Sequence, residues 1–478
     1  MQKLYSSALL YTFLTFLQGF IGLLLQPLYT HYFSSSDYAV FSLLNNLGSI
    51  LGVMATLSLG NTVFTFYYDY VGKPLEIERF LGQIVGCILL TSAFSLLLLL
   101  LIGNNLFGIL FKDTAFRFYP DGIAAFLIGV FGNIMVPYMA VLRNEKNIRA
   151  FAVLSIATVV LGLGFQWIAI AGMGAGVSGA LIGRSLGNAI VILYVLYRMR
   201  YVLSFRLKKN YLYAPLSYAI FLLLNNILEW TSAYSDRFFI EQWFDTHLLG
   251  NYSLLSTLIA IIEMGYWAVT MAIQPFLFDY LKAAQNKYIP DLYNFYLSVV
   301  VLIVAGVVFL ITQLEYFINN TTYLTIKPYS FLYGLAYIFS ALSNLFLLHF
   351  HYEKNSRINF YRTLIMLCCS LALNAYLIPL YGLWAAIFAA LIARLITMLA
   401  LLYWKPQLMQ YFNAKLYFLL IGAVVLLMVC HITYQQNLYS ANLLGYMQLI
   451  GMLLLVITVN IDKLRYIIQQ KKEAWNNK

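Results

Sequence analysis

EKNIR at residues 145–149 returns as EKNSR at residues 353–357, 208 positions later in a chain of 478. Such a charged phrase stands out here, because 10% of the residues are charged, 62% are hydrophobic and the mean hydropathy is +0.79. Globular domains are about 25% charged, and a crossing of hydrocarbon takes about 20 consecutive apolar residues. The sequence supplies such runs from end to end. We read it as an all-α polytopic membrane protein with 14 transmembrane helices, the first near 6–29, the second near 40–67 and the last near 442–461. The two copies of the phrase fall between spans 4 and 5 and between spans 10 and 11. Six spans separate them, an even number, so the repeated units share one orientation: two parallel six-helix lobes plus two C-terminal helices.

Two further matches are collinear with the first. GMGAGVSGALIGR (172–184) pairs with GLWAAIFAALIAR (382–394) at an offset of 210, and AVFSLL (39–44) pairs with GNYSLL (250–255) at 211. Duplication accounts for all three, with lobes at 1–209 and 210–410 and a segment at 411–478 that carries spans 13 and 14 and a basic tail.

Positive charge gives the orientation. Lys112, Arg117, Arg237 and Lys327 fall on one side and Arg184 and Arg394 inside spans, while the rest of the 29 Lys and Arg gather in the alternate connections. By the positive-inside rule that richer side is cytoplasmic and both termini lie there, in a cell inner (cytoplasmic) membrane. The same spread explains the net charge of +11 without nucleic acid. The first span, ending in LQPLYTHYF (25–33), has no small-residue cleavage site and reads as a retained helix. Cys87, Cys368, Cys369 and Cys430 all lie in spans, so neither a disulfide framework nor a metal site is expected. The connections are too short for an extramembrane catalytic domain, and no HExxH, GxxxxGKS or GxSxG motif occurs. No catalytic residue, cofactor or metal is expected.

The six-plus-six-plus-two pattern, the turn SSSDYAVFSLL (34–44) and SDRFFIEQWFDTHLLGNYSLL (235–255) resemble the polysaccharide biosynthesis proteins. These include the O-antigen and capsule repeat-unit flippases of the multidrug, oligosaccharidyl-lipid and polysaccharide exporter superfamily. The resemblance implies a pair of lobes that opens alternately to each side of the membrane. Its implied partners are a polyprenyl-diphosphate-linked oligosaccharide, membrane lipids and polysaccharide polymerase machinery.

A glycan crossing hydrocarbon must keep hydrogen-bond partners, so polar residues at helical spacing are the candidate lining. Span 7 carries Asn225, Glu229, Ser232 and Asp236, and span 1 carries Thr15, Gln18, Gly22 and Gln26. Span 2 adds Asn45, Ser49 and Thr56, and span 8 adds Ser256, Glu263, Thr270 and Gln274. Helix-to-helix hydrogen bonds, worth about 0.6 kcal/mol each, are the structural alternative. Glu229 and Glu263 are candidate sites for a coupling ion, or are paired or protonated core carboxyls. Arg184 and Arg394, each costing roughly 2.5–3.5 kcal/mol if unpaired at mid-span, are candidate diphosphate clamps, or braces within their lobes. Asp236 and Arg237 are a candidate gate, or an interfacial anchor. Three acidic residues in the stripes leave a cation-coupled drug or metabolite antiporter of the same superfamily as an alternative, alongside a peptidoglycan-precursor flippase.

Overall fold

The computed structural model describes residues 21–22, 25–70, 72–205, 208–318 and 320–476, which form fifteen α-helices joined by short turns. The first eight are α1 (Gln26–Tyr32), α2 (Ser35–Ala55), α3 (Leu59–Phe66), α4 (Pro74–Leu110), α5 (Ile123–Asn144), α6 (Ile148–Trp167), α7 (Gly176–Met199) and α8 (Lys209–Trp243). They are followed by α9 (Thr246–Lys282), α10 (Ile289–Thr312), α11 (Tyr329–Tyr352), α12 (Ser356–Tyr381), α13 (Leu383–Trp404), α14 (Ala414–Gln435) and α15 (Ala441–Asn476). Among the described residues 13 helices are long and apolar enough to cross a membrane, and this is a multi-pass membrane protein. The expected first span falls mostly outside the described residues. Contacts divide the chain into two compact units, Met1–Ser253 and Leu254–Lys478, with the division inside α9.

The repeated phrase is a helix–turn–helix connector. In the first copy Glu145 caps α5, Lys146 takes a left-handed φ of 59°, and the amides of Lys146 and Asn147 donate back to Arg143 O and Leu142 O at 3.1 and 2.8 Å. In the second, Lys354 has φ 58°, and the amides of Lys354 and Asn355 donate to His351 O and Phe350 O at 3.0 and 2.9 Å. Both are Schellman endings, which satisfy the last carbonyls of a helix while turning the chain. Asn147 then caps α6 by accepting from the amide of Ala150 at 3.2 Å. SSSD (34–37) is a capping box: the amide of Asp37 donates to the Ser34 hydroxyl at 3.1 Å, and that of Ser34 to the Asp37 carboxylate at 3.2 Å.

One expected span is interrupted. The run 40–67 breaks after Ala55, where Leu57 and Ser58 both adopt left-handed φ, 52° and 54°. Neither is glycine, so the break carries about 1–2 kcal/mol of backbone strain per residue, and α3 leaves in a new direction. Upstream of it α2 crosses α5 backbone to backbone. A Cβ on Gly52 would stand 2.3 Å from Gly129 C, and one on Gly129 would stand 1.9 Å from Gly48 O. Side chains are excluded from that crossing.

Candidate substrate cavity

A cavity of about 630 Å³ opens in the N-terminal unit where α2, α3, α5, α7 and α8 diverge. Its polar lining comes from Asn45 and Ser49 on α2, Asn61 on α3, Asn133 on α5, Arg184 on α7, and Asn226 and Glu229 on α8; Trp230 and Tyr234 add aromatic surface. Broken helices line polar cavities in membrane proteins because unwound backbone is tolerated only away from lipid. The Leu57–Ser58 break is such a place, and there the Asn226 carboxamide donates to the Ser58 hydroxyl at 3.2 Å.

Several of the expected residues meet here. The Arg184 guanidinium donates to Asn45 Oδ1 at 3.4 Å, so two of them, from α7 and α2, face one space. Glu229 lines the same cavity and is exposed in it. The ion pairs within 4.0 Å among the described residues are Arg79–Glu76, Lys327–Glu315 and Lys405–Glu353, so Arg184 and Glu229 are not joined as a pair. The glycines around Arg184 let α7 pack closely on α6. A Cβ on Gly183 would meet Phe165 O at 2.6 Å and one on Gly187 would meet Leu161 O at 2.3 Å, the close approach that small residues four apart allow.

Other expected residues lie elsewhere. The face of α8 that lines the cavity carries Asn226, Glu229, Trp230, Ala233 and Tyr234, so of the stripe Asn225, Glu229, Ser232 and Asp236 it includes Glu229 alone. Asp236 is buried and accepts from the Tyr252 hydroxyl and, at 2.8 Å, from the amide of Arg237. The Arg237 guanidinium, also buried, sits 4.6 Å from the Tyr234 ring centroid. Both side chains are therefore in the protein interior. Gln18 and Thr15 fall outside the described residues. Gln26 is buried, donating to Gly22 O at 2.8 Å and accepting from the Tyr38 hydroxyl at 2.6 Å, as a helix-to-helix link does.

In the C-terminal unit Arg394 packs its guanidinium over Tyr337 at 4.6 Å and Tyr333 at 5.8 Å, and donates to Ala390 O at 3.2 Å. Glu263 is exposed and lies within electrostatic reach of it. Below it Thr270 receives the Asn344 carboxamide at 3.1 Å and meets the Tyr296 hydroxyl at 3.2 Å, a buried network linking α9, α10 and α11.

Residue spacing alone missed Asn61, Asn133, Asn226, Trp230 and Tyr234. Asn133 had a signal, a lone carboxamide in the apolar run LIGVFGNIMV (127–136). Asn226 had the wrong one: it sits beside Asn225, and a single-residue choice on a helix turns the predicted face by about 100°.

Residues 87–286 match the family model described as "Polysaccharide biosynthesis protein". No curated protein matches the sequence significantly. Among solved structures, "Lipid II flippase MurJ, inward closed conformation" is 16% identical, covers 96% of this chain and 100% of its own, and superposes with a TM-score of 0.70. A multidrug resistance MATE family transporter of the MOP superfamily, in an inward-facing conformation, is 13% identical over 84% of this chain and 94% of its own, with a TM-score of 0.64. These likenesses are to transporters and flippases and not to enzymes. Residues 87–286 thus carry the pattern of the polysaccharide biosynthesis proteins, within a chain that has the fold of the MurJ flippase and the MATE transporters of the MOP superfamily.

Proposed function

We propose that this protein is a flippase that moves polyprenyl-diphosphate-linked polysaccharide repeat units across the cytoplasmic membrane by alternating access. The observation that carries the reading is the cavity beside the broken helix: carboxamides, a guanidinium and a carboxylate line one space within a bundle of apolar membrane helices. A glycan loses too much hydrogen bonding in hydrocarbon to cross unaided, and a lined cavity replaces its water while the lipid tail stays in the bilayer. The match of residues 87–286 to polysaccharide biosynthesis proteins supports the same substrate class.

In this reading the substrate-binding residues are Gln18, Asn45, Glu229, Glu263, Arg184 and Arg394, with Asn226 in the place expected for Asn225; Glu229 and Glu263 take a coupling ion, and Asp236 and Arg237 form part of a gate. The lobes are 1–209 and 210–410, with 411–478 sheltering the tail, and both termini are cytoplasmic. Membrane lipids and polysaccharide polymerase machinery are its neighbours, and it performs no covalent chemistry. A second reading, a peptidoglycan-precursor flippase, is favoured by the likeness to the lipid II flippase along 96% of the chain.

The test is reconstitution in liposomes holding a fluorescent polyprenyl-diphosphate oligosaccharide, with a membrane-impermeant glycosidase added outside. Protein-dependent access to inner-leaflet lipid, lost in Glu229→Gln, is the expected result. Access for lipid II and for no other glycan would select the second reading. Cation-driven drug uptake without lipid access would replace both with the antiporter.

A further inference from the structure

We infer that the cavity of the N-terminal unit is a saccharide subsite that takes uncharged sugar rings and not the diphosphate, with Trp230 and Tyr234 as its stacking wall. The inference rests on the flippase reading and assigns one part of that substrate to one place.

Charge decides against the diphosphate. The lining holds one cation, Arg184, and one anion, Glu229. Sites for phosphate groups gather several Arg or Lys, or present the free amides of a helix N-terminus. The helix that starts at the cavity edge is α3, and its first amides are already used: Leu59 N donates to Thr56 O at 3.0 Å and Asn61 N to Ser58 O at 3.2 Å. A diphosphate placed here would meet Glu229 with a single guanidinium to offset it.

The same lining suits a sugar. A pyranose ring has an apolar C–H face and a rim of hydroxyls that both donate and accept. Burying the C–H face against an aromatic ring gains hydrophobic free energy in proportion to area, and the rim calls for groups of mixed character. Carboxamides have that character, with two N–H donors and an oxygen acceptor. Asn133 uses one N–H on Gly129 O at 2.9 Å and Asn226 one on Ser58 at 3.2 Å, which orients each group and leaves its oxygen for a ligand. The wall is held as firmly. Trp230 Nε1 donates to Asn46 O at 3.0 Å, and its ring packs 5.5 Å from Tyr234. A fixed indole loses little conformational entropy when a ring settles on it.

The experiment compares two fluorescent probes on the purified full-length protein: bare polyprenyl diphosphate, and the same lipid bearing an uncharged tetrasaccharide. Trp230→Leu is expected to weaken the tetrasaccharide probe about tenfold while the bare lipid changes less than roughly twofold. Trp230→Phe, which keeps a ring, recovers most of that loss, and Asn133→Ala reproduces the selective defect from another helix. Equal weakening of both probes, no weakening of either, or equal affinity of the unsubstituted protein for both overturns the subsite. Failure of the flippase reading looks different: the tetrasaccharide probe binds with this selectivity, yet no glycosidase access develops in liposomes.

Discussion

Arg184 and Arg394 stand 210 positions apart in matching sequence, yet one lines a polar cavity and the other is packed against tyrosines. The cause lies on a different pair of helices. The 208-residue offset of the repeated phrase runs back through α5 and α11 and sets Ala125 and Gly129 against Tyr333 and Tyr337. The 211-residue offset sets Gly48 and Gly52 on α2 against Ile259 and Glu263 on α9. Where the N-terminal unit has small residues that let two backbones meet, the C-terminal unit has large ones that fill space beside the guanidinium. Tyr333 and Tyr337 are 4% and 5% exposed. The arginine recurs at the matching position, and its surroundings differ where small residues in one unit stand against large ones in the other. A buried cation costs least when something nearby offsets its lost hydration. Asn45 does this in one unit and aromatic faces do it in the other.

Exchanging the fillings should have the largest effect. Tyr337→Ala is expected to destabilise the protein by about 3–5 kcal/mol, the usual cost of emptying a buried aromatic position, read as a drop in melting temperature in detergent. A change below ~1 kcal/mol would show that the tyrosine fills nothing. Gly129→Ala runs the comparison in the other direction. Its Cβ must push Gly48 O away from 1.9 Å, so a loss of roughly 1–3 kcal/mol is expected, together with slower transport as the cavity lining shifts.

The arginines themselves should then separate by readout. Arg394→Gln loses its cation–π contacts and should cost about 1–2 kcal/mol of stability. Arg184→Gln should leave stability within roughly 1 kcal/mol and slow translocation of lipid-linked oligosaccharide. Matching effects from the two substitutions would mean that both arginines brace their helices. A smaller effect tests what the two units share. Lys146→Gly and Lys354→Gly both relieve a left-handed non-glycine residue, so each should stabilise by about 0.5–1 kcal/mol, and by the same amount. Unequal gains would show that the two copies of the turn bear different loads.

The weakest expected effect is electrostatic. Lys327 Nζ donates to Glu315 at 2.6 Å and to Asn442 Oδ1 at 2.9 Å, and the Asn442 carboxamide donates to Glu315 as well. The Lys327 hydrogen bond, and after it that of Asn442, holds the Glu315 carboxyl below its ordinary value. A lowered carboxyl stabilises the fold above the unfolded value of about 4.3. That contribution disappears as pH falls through the lowered value. Melting measured from pH 7 into acid should therefore drop slightly more for the natural protein than for Glu315→Gln. In the N-terminal unit Glu241 accepts instead from the amides of Lys112 and Asp113 at 2.7 and 2.8 Å. Backbone donors have no charge to screen, so added salt should weaken the Glu315 cluster first.

Much of this organisation was legible in the chain. Hydropathy located most of the spans because a helix in lipid must be apolar over a fixed length, and the repeated phrase marked a connection because its charges fall between apolar runs. The polarity of the cavity was legible as residue types: Asn45, Glu229 and Arg184 stand out as polar residues in apolar spans, and all three line the cavity. The α8 face was misread because Asn225 and Asn226 are equivalent as letters, and packing against α2 and α3 decides which one turns inward. Asp236 and Arg237 were legible as charges at a helix end. Their burial was not, because it depends on Tyr252 and Tyr234 closing over them.

Composition and contacts within a few residues set the medium, most of the helices, the repeated turn and the pair of arginines. Packing between distant helices set one arginine beside Asn45 at a cavity wall and the other against Tyr333 and Tyr337. That difference depends on helices more than 40 residues distant in the chain, where a glycine or a tyrosine fixes how closely two backbones approach, and no local pattern around either arginine records it.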